Sequence, residues 1–120
     1  MKFLLVEDDK TTQMSIKMFC KKLSVDIEVV NDGKDAVELC KSGNKYDVIL
    51  MDNYMPEMDG IKATSTIREL GHGSSYVIYL LTGLEDLSEE EMKKSGFNGL
   101  YKKPMNKSTF ESIVEKAKSS

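Results

Sequence analysis

Short apolar segments that alternate with longer amphipathic segments restrict the fold of this chain more than any other feature. Residues 3–6, 27–30, 48–51 and 77–81 are apolar segments of strand length. Three of them, 3–6, 48–51 and 77–81, are apolar without interruption, which is typical of strands that helices cover on both faces. Residues 100–101 are a shorter candidate for a fifth strand, after the turn signal Asn98-Gly99.

The segments between these strands have helical length and one apolar face each. Residues 11–23 carry the apolar positions Met14, Met18, Phe19 and Leu23, and Asp9 is the expected N-cap. Turn signals at residues 32–33 and 59–60 introduce two further helices, and apolar residues at 110, 113, 114 and 117 mark the last one. Two capping-box pairs predict the first turns of the last two helices: Ser88 with Glu91, and Ser108 with Glu111.

A strand followed by a helix thus occurs five times in succession. Such alternation produces right-handed crossovers and a parallel sheet with helices on both faces. A length of 120 residues fits one domain, so we assign residues 1–120 to a single α/β domain with a doubly wound, five-stranded parallel sheet. In sheets of this kind, ligands bind beyond the carboxyl ends of the strands.

The composition excludes several other classes of protein. Apolar residues make up 40% of the chain and charged residues 31%, which is typical of an ordered globular domain. The formal net charge of −3 and the scattered lysines provide no basic surface for nucleic acid. No apolar run approaches the roughly 20 residues of a membrane-spanning helix, and no leader cleavage site is present, so we expect a cytoplasmic protein. Cys20 and Cys40 lack a CxxC spacing and are expected to be reduced, packed thiols.

Side chains with acidic, hydroxyl and amine groups follow the strands at the points where the strands end. In chain order they are Glu7-Asp8-Asp9, Asp52, Thr82-Gly83 and Lys102-Lys103-Pro104. Because the carboxyl ends of parallel strands lie at one edge of the sheet, we expect these groups to converge. Crowded carboxylates repel one another unless a cation joins them, and Mg²⁺ prefers such oxygen ligands. The strand ends therefore predict a magnesium site, with Asp9 better explained as a helix cap.

This set of side chains suits phosphoryl transfer. A carboxylate can attack phosphorus to give an aspartyl phosphate, and the protein then mainly positions the donor and neutralises charge on the phosphoryl oxygens. A lysine and a threonine hydroxyl supply that charge and a hydrogen-bond donor. The residues alone leave a plainer interpretation open, in which the acidic turn is solvated and Thr82 and Lys103 are ordinary strand-end residues.

Four segments, in order and each at a strand end, resemble the receiver domain of two-component response regulators. They are Val6-Glu7-Asp8-Asp9, the run Asp52-Asn53-Tyr54-Met55-Pro56-Glu57-Met58-Asp59-Gly60, Thr82-Gly83 and Lys103-Pro104. The run that begins at Asp52 is the most specific of the four. The resemblance covers essentially the whole chain, and residues 51–68 are similar to receivers of hybrid histidine kinases. It implies a flavodoxin-like (βα)5 fold with strand order 2-1-3-4-5.

The resemblance implies a role for each matching position in the acidic part of the site. Asp52 matches the phosphorylated aspartate, which also contacts Mg²⁺. Asp8 matches a second direct Mg²⁺ ligand, and Glu7 matches an acid that acts through water. The backbone carbonyl of Tyr54 matches the remaining protein ligand.

The other matching positions concern the response to phosphorylation. Thr82 resembles the switch hydroxyl that moves onto a phosphoryl oxygen, and Lys103 resembles the lysine that pairs with the phosphoryl group. By the same resemblance, the Lys103-Pro104 peptide bond is expected to be cis.

The sequence departs from the family pattern at two positions. Leu100 stands where receivers usually carry Tyr or Phe, three positions before the lysine, and strand alternation predicts that Tyr101 faces the opposite side of the sheet. Gly83 replaces the usual Ala, which keeps the site open. Bulky residues at Tyr54 and Leu84 predict slow loss of the phosphoryl group by hydrolysis.

The expected partners also follow from the resemblance. The phosphoryl donor would be a histidine kinase or a histidine phosphotransfer protein, and a downstream protein would bind the face formed by the fourth helix, fifth strand and fifth helix. No nucleic acid or membrane is expected to bind directly, and the chain would catalyse only its own phosphorylation and dephosphorylation. The chain is expected to be either a stand-alone regulator or part of a hybrid kinase.

Two alternatives in other functional classes remain open from the sequence. A Mg²⁺-dependent phosphatase or phosphotransferase with an aspartate nucleophile usually has a second acid two residues after the nucleophile, where this chain has Tyr54. A receiver-like docking module that is never phosphorylated usually lacks the aspartate or the lysine, and this chain has both.

Overall fold

A five-stranded parallel sheet forms the centre of the molecule. The structure is a computed structural model that describes residues 1–55, 57–83 and 88–119, except for the Glu89 side chain. The strands are β1 (Lys2–Val6), β2 (Asp26–Val30), β3 (Val48–Asp52), β4 (Ile78–Thr82) and β5 (Gly99–Lys102). They lie in the order β2-β1-β3-β4-β5, with every neighbouring pair parallel. The α/β class, the doubly wound topology and the strand order are confirmed.

Five α-helices connect and cover the described strands. They are α1 (Lys10–Lys22), α2 (Gly33–Lys41), α3 (Gly60–Arg68), α4 (Glu89–Lys94) and α5 (Lys107–Lys118), with a short 3₁₀ helix at Gly73–Ser75. None of the helices in the described part of the chain is long and apolar enough to cross a membrane.

Side-chain caps define where the helices begin. The Asp9 carboxylate accepts a hydrogen bond from the Thr12 backbone N–H at 2.9 Å, and Ser88 caps α4 in the same way. The capping box predicted at Ser108 is wrong. Helix α5 begins at Lys107, because Asn106 Oδ1 accepts from the Thr109 N–H at 2.8 Å and starts the helix earlier.

The sheet separates two apolar layers. Because side chains alternate along a strand, Leu4 and Val6 of β1 face the layer under α2, α3 and α4, while Phe3 and Leu5 face the layer under α1 and α5. The same alternation confirms the prediction for β5: Leu100 packs on the first layer, and Tyr101 packs on the second.

Both cysteines lie in these layers as free thiols, as predicted. Cys20 is 1% exposed in α1 and Cys40 is fully buried in α2. Burial raises the pKa of each thiol to about 11, because the thiolate would lose its hydration. The cysteines therefore act as small apolar core residues.

The apolar face predicted for α1 is wrong at two positions. Met14 is 67% exposed and Met18 is 57% exposed. The face of α1 that packs on the sheet instead contains the buried residues Gln13, Ile16 and Cys20. This orientation is possible because the Gln13 side-chain amide has hydrogen-bond partners inside the protein, which offset the cost of burying it.

Candidate functional site

Three carboxylates meet at the carboxyl edge of the sheet. Val6 of β1 is the register partner of Met51 of β3, so the residues that follow, Glu7 and Asp52, lie beside each other. One carboxylate oxygen each from Glu7, Asp8 and Asp52 lies within 4.8 Å of the others. Glu7 is fully buried and Asp52 is 5% exposed, whereas Asp8 is exposed to solvent. The cluster is therefore buried at Glu7 and Asp52 and open to solvent at Asp8.

Lys103 joins the two buried carboxylates. Its Nζ lies 2.5 Å from Glu7 Oε1 and 2.8 Å from Asp52 Oδ1. Burial alone would favour the neutral amine, but the hydrogen bonds and negative charges of Asp52 and Glu7 raise the pKa of Lys103 above its usual value. The side chain thus carries a fixed positive charge next to Asp52.

The backbone at the end of β5 places this lysine. The Lys103 N–H donates to the Thr82 carbonyl at 2.9 Å, which links the ends of β4 and β5. The Lys103-Pro104 peptide bond is cis, as the family resemblance implied. Lys102, the neighbouring residue, is exposed.

The environment of Glu7 favours an additional cation. Burial raises the pKa of Glu7, and the hydrogen bonds from Lys103 and from the Asp9 N–H, the latter at 3.1 Å, oppose that change only in part. Within the group, three carboxylates face one lysine, so two negative charges lack a balancing charge when all are ionised. A divalent cation carries that charge, and oxygen ligands of this type suit Mg²⁺.

Thr82 and Tyr54 lie next to this cluster. Thr82 is the last residue of β4 and is 4% exposed, and the residue before it, Leu81, is the register partner of Asp52. Tyr54 follows Asp52 by two residues, and its side chain is 61% exposed. Pro56 of the motif and Leu84, which was expected to slow hydrolysis, lie outside the described residues.

The start of α3 lies close to the end of β3. The Gly60 N–H donates to the Asn53 carbonyl at 2.9 Å, and Asp59 caps α3 by accepting from Lys62. A Cβ atom on Gly60 would lie 2.2 Å from the Asp52 carbonyl oxygen. Only glycine therefore allows α3 to begin this close to the phosphoacceptor candidate.

Gln13 is part of the surroundings of the site and was not expected from the sequence. It is 5% exposed, and its Nε2 donates to the Glu7 carbonyl oxygen at 2.5 Å and to Asn31 Oδ1 at 2.9 Å. The available signal was the spacing of positions 13, 16 and 20, which places Gln13 on the same helix face as Ile16 and Cys20.

Similarity to known proteins agrees with this geometry. The family model described as response regulator receiver domain matches residues 3–115. The two-component response regulator 24 of Arabidopsis thaliana is 35% identical over 113 residues, which cover 94% of this chain and 81% of that protein. The autoinducer 2 sensor kinase/phosphatase LuxQ of Vibrio vulnificus is 36% identical over 105 residues. That match covers 88% of this chain but only 12% of the kinase, so the chain spans a small part of that relative.

Solved structures show the same fold. The receiver domain of the sensor histidine kinase PA1611 of Pseudomonas aeruginosa, solved with a magnesium ion coordinated in its active site cleft, has a TM-score of 0.88 and 31% identity, with 99% of this chain and 98% of that chain covered. The chemotaxis protein CheY4 of Vibrio cholerae, with a TM-score of 0.85, 24% identity and 97% of each chain covered, shares the fold. With acids, lysine and threonine at the strand ends where the motifs predicted them, the chain belongs to the response regulator receiver domains of two-component signalling.

Proposed function

We propose that this chain is a phosphoacceptor that takes a phosphoryl group from a phosphohistidine donor onto Asp52. The observation that carries the proposal is the convergence of the Glu7, Asp8 and Asp52 carboxylates with the Lys103 ammonium group at one edge of the sheet. Asp52 is nearly buried, which protects the product from solvent on most sides. The acceptor carboxylate is thus surrounded by the charges that phosphoryl transfer requires.

In the proposed reaction, an Asp52 carboxylate oxygen forms a bond to phosphorus while the bond from phosphorus to the donor imidazole nitrogen breaks. The imidazole leaves as a neutral ring, because its second nitrogen, which does not bear phosphorus, already carries a proton in the donor. Lys103 pairs with a phosphoryl oxygen, since its ammonium group already lies 2.8 Å from Asp52 Oδ1. The Thr82 hydroxyl donates to another phosphoryl oxygen from the end of β4. The product is a changed surface on the protein itself.

The residues at the site fit a magnesium ion. Asp8 and Asp52 are proposed as direct ligands, Glu7 as a ligand through water, and the Tyr54 backbone carbonyl as the remaining protein ligand. When bound, Mg²⁺ supplies positive charge to the phosphoryl oxygens. Support comes from the two unbalanced carboxylate charges at the site and from the magnesium found in the related PA1611 receiver.

We further propose how the domain connects to its pathway. Residues 1–120 form one receiver domain in the cytoplasm, and a histidine kinase or a histidine phosphotransfer protein supplies the phosphoryl group. A downstream protein binds the face formed by α4, β5 and α5. The domain turns over no separate substrate: it catalyses only its own phosphorylation and dephosphorylation. Family membership supports these partners, because relatives include histidine kinases and response regulators.

The proposal is tested by incubating the chain with Mg²⁺ and acetyl phosphate and then recording its intact mass. The expected result is one added phosphoryl group on the wild type, lost on treatment with base and absent when Mg²⁺ is omitted. Asp52→Asn is the matched control and should gain no mass, because its amide is a poor nucleophile. Equal labelling of Asp52→Asn would refute the assignment, and sustained hydrolysis of acetyl phosphate at a high rate would favour a phosphatase.

A further inference from the structure

The side chain of Gln13 connects α1 to the backbone that carries the acid pair. Gln13 is nine-tenths buried or more, and its two amide hydrogens account for two hydrogen bonds, one to the Glu7 carbonyl oxygen and one to Asn31 Oδ1. Asn31 directly follows β2, which pairs with β1. One side chain thus joins the end of β1 to the end of the neighbouring strand.

The hydrogen bond to the Glu7 carbonyl oxygen affects the positions of both Glu7 and Asp8. This carbonyl belongs to the same planar peptide unit as the Asp8 nitrogen, so a hydrogen bond to the carbonyl oxygen fixes the orientation of the whole unit. On the other side, the Glu7 N–H donates to the Val30 carbonyl at 3.0 Å. That bond holds the preceding peptide unit, between Val6 and Glu7, to β2, while the bond from Gln13 holds the unit between Glu7 and Asp8 to α1.

Asp8 depends most on this restraint. Its side chain is exposed, so packing contributes little to its position, and its backbone determines where its carboxylate lies. Glu7, in contrast, is also held through its carboxylate by Lys103 and by the Asp9 N–H. A small rotation of the peptide would move the Asp8 carboxylate away from Asp52, with which it shares the candidate metal site.

We propose that Gln13 is a positioning residue for divalent-cation binding, which acts by holding the peptide between Glu7 and Asp8. This inference rests on the proposed magnesium-dependent function. Gln13 does not touch the cation or the phosphoryl group. Its removal lowers the affinity for Mg²⁺ while the rate of phosphorylation at saturating Mg²⁺ is largely retained, since the bound cation then draws Asp8 back into place.

The test compares Gln13→Met with Cys20→Ala. Methionine keeps the length of the side chain but has no N–H donor, whereas Cys20 lies on the same buried face of α1 without a link to the Glu7 carbonyl. Mg²⁺ binding is measured by titration calorimetry, and labelling by acetyl phosphate is measured across Mg²⁺ concentrations. For Gln13→Met we expect a Kd for Mg²⁺ about tenfold above that of the wild type, with the labelling rate at saturation within about twofold.

The control separates positioning from stability. Cys20→Ala is expected to lower the unfolding temperature and to leave the Mg²⁺ affinity unchanged. Asn31→Ala, at an exposed position, keeps the fold and removes the second partner of Gln13, so it should weaken Mg²⁺ binding in the same direction but less. The inference would be overturned if both Gln13→Met and Asn31→Ala bound Mg²⁺ as tightly as the wild type. It would also be overturned if Cys20→Ala lost as much Mg²⁺ affinity as Gln13→Met. A wild type that binds no Mg²⁺ would instead overturn the proposed function.

Discussion

Substitution of Gly60 by alanine tests whether α3 begins so close to Asp52 that a larger residue at position 60 destabilises the fold. The added Cβ would lie 2.2 Å from the Asp52 carbonyl oxygen, 2.9 Å from Met51 Cγ and 3.0 Å from the Asp52 carbonyl carbon. Ordinary contact begins near 3.4 Å, so the start of α3 must move away by about 1 Å. The nearest atom, the Asp52 carbonyl oxygen, belongs to backbone, which cannot rotate aside as a side chain can.

The expected loss of stability follows from three contributions. Overpacking of this kind costs about 3 kcal/mol at the upper end of its usual range. Loss of the hydrogen bond from the Gly60 N–H to the Asn53 carbonyl costs about 1 kcal/mol more. The higher helix propensity of alanine returns about 1 kcal/mol. The free energy of unfolding should therefore fall by about 3 kcal/mol, which lowers Tm by about 12 °C for a domain of this size.

The assay is urea unfolding followed by circular dichroism, with Gly71→Ala as the matched control. Gly71 has no heavy atom within 4 Å of its would-be Cβ, so its substitution should change the free energy of unfolding by less than about 0.5 kcal/mol. Equal unfolding midpoints for the two variants would refute the reasoning, because the close contact at Gly60 would then have no energetic consequence.

Three further predictions concern the charge of Glu7, the hydrogen bonds of Arg68 and the lifetime of the phosphorylated state. Burial raises the pKa of Glu7 in the folded protein above its usual 4.5. The free energy of unfolding of the metal-free wild type therefore falls as the pH rises from 4.5 through the raised pKa, because a buried carboxyl group must then ionise. Glu7→Gln should therefore gain stability relative to wild type as the pH rises from 4.5 to neutral. In urea titrations of both proteins, a stability of the variant that falls relative to wild type over this range would contradict the prediction. Arg68 donates four hydrogen bonds, three to backbone carbonyls and one to a side-chain amide. Arg68→Met should lower the free energy of unfolding by about 3 kcal/mol, and an unchanged urea midpoint would argue against it. Tyr54→Ala should shorten the half-life of the phosphorylated protein, measured by the decay of its intact mass, whereas Tyr54→Phe should not; equal half-lives would show that the ring does not shield the site.

The sheet and the edge that carries the site could be predicted from the sequence because the responsible signals are local. Strands β1, β3 and β4 are buried on both faces and therefore read as uninterrupted apolar runs. The predicted segment 77–81 begins one residue too early for β4, because Val77 precedes the strand although its carbonyl still accepts from the Ile49 N–H at 2.8 Å. Once the strands were parallel, their polar ends had to meet at one edge.

The features that were missed depend on contacts between distant parts of the chain. Hydropathy placed Met14 and Met18 on the buried face of α1, but the helix turns Gln13 inward because Glu7 and Asn31 supply acceptors for its amide. The start of α5 was misplaced at Ser108 because Asn106, two residues earlier, is an equally good cap and acts first. The pairing of Lys103 with Glu7 as well as Asp52 likewise required the structure.

The most direct test of the central claim is to locate the phosphoryl group on the chain. Protein labelled by acetyl phosphate and Mg²⁺ is treated with borohydride, which reduces an aspartyl phosphate to homoserine, and the digested peptides are sequenced by mass spectrometry. We expect a single homoserine at position 52, the last residue of β3. Homoserine at position 8 instead, or a stable label on a histidine, serine or threonine, would contradict the assignment of Asp52 as the phosphoacceptor.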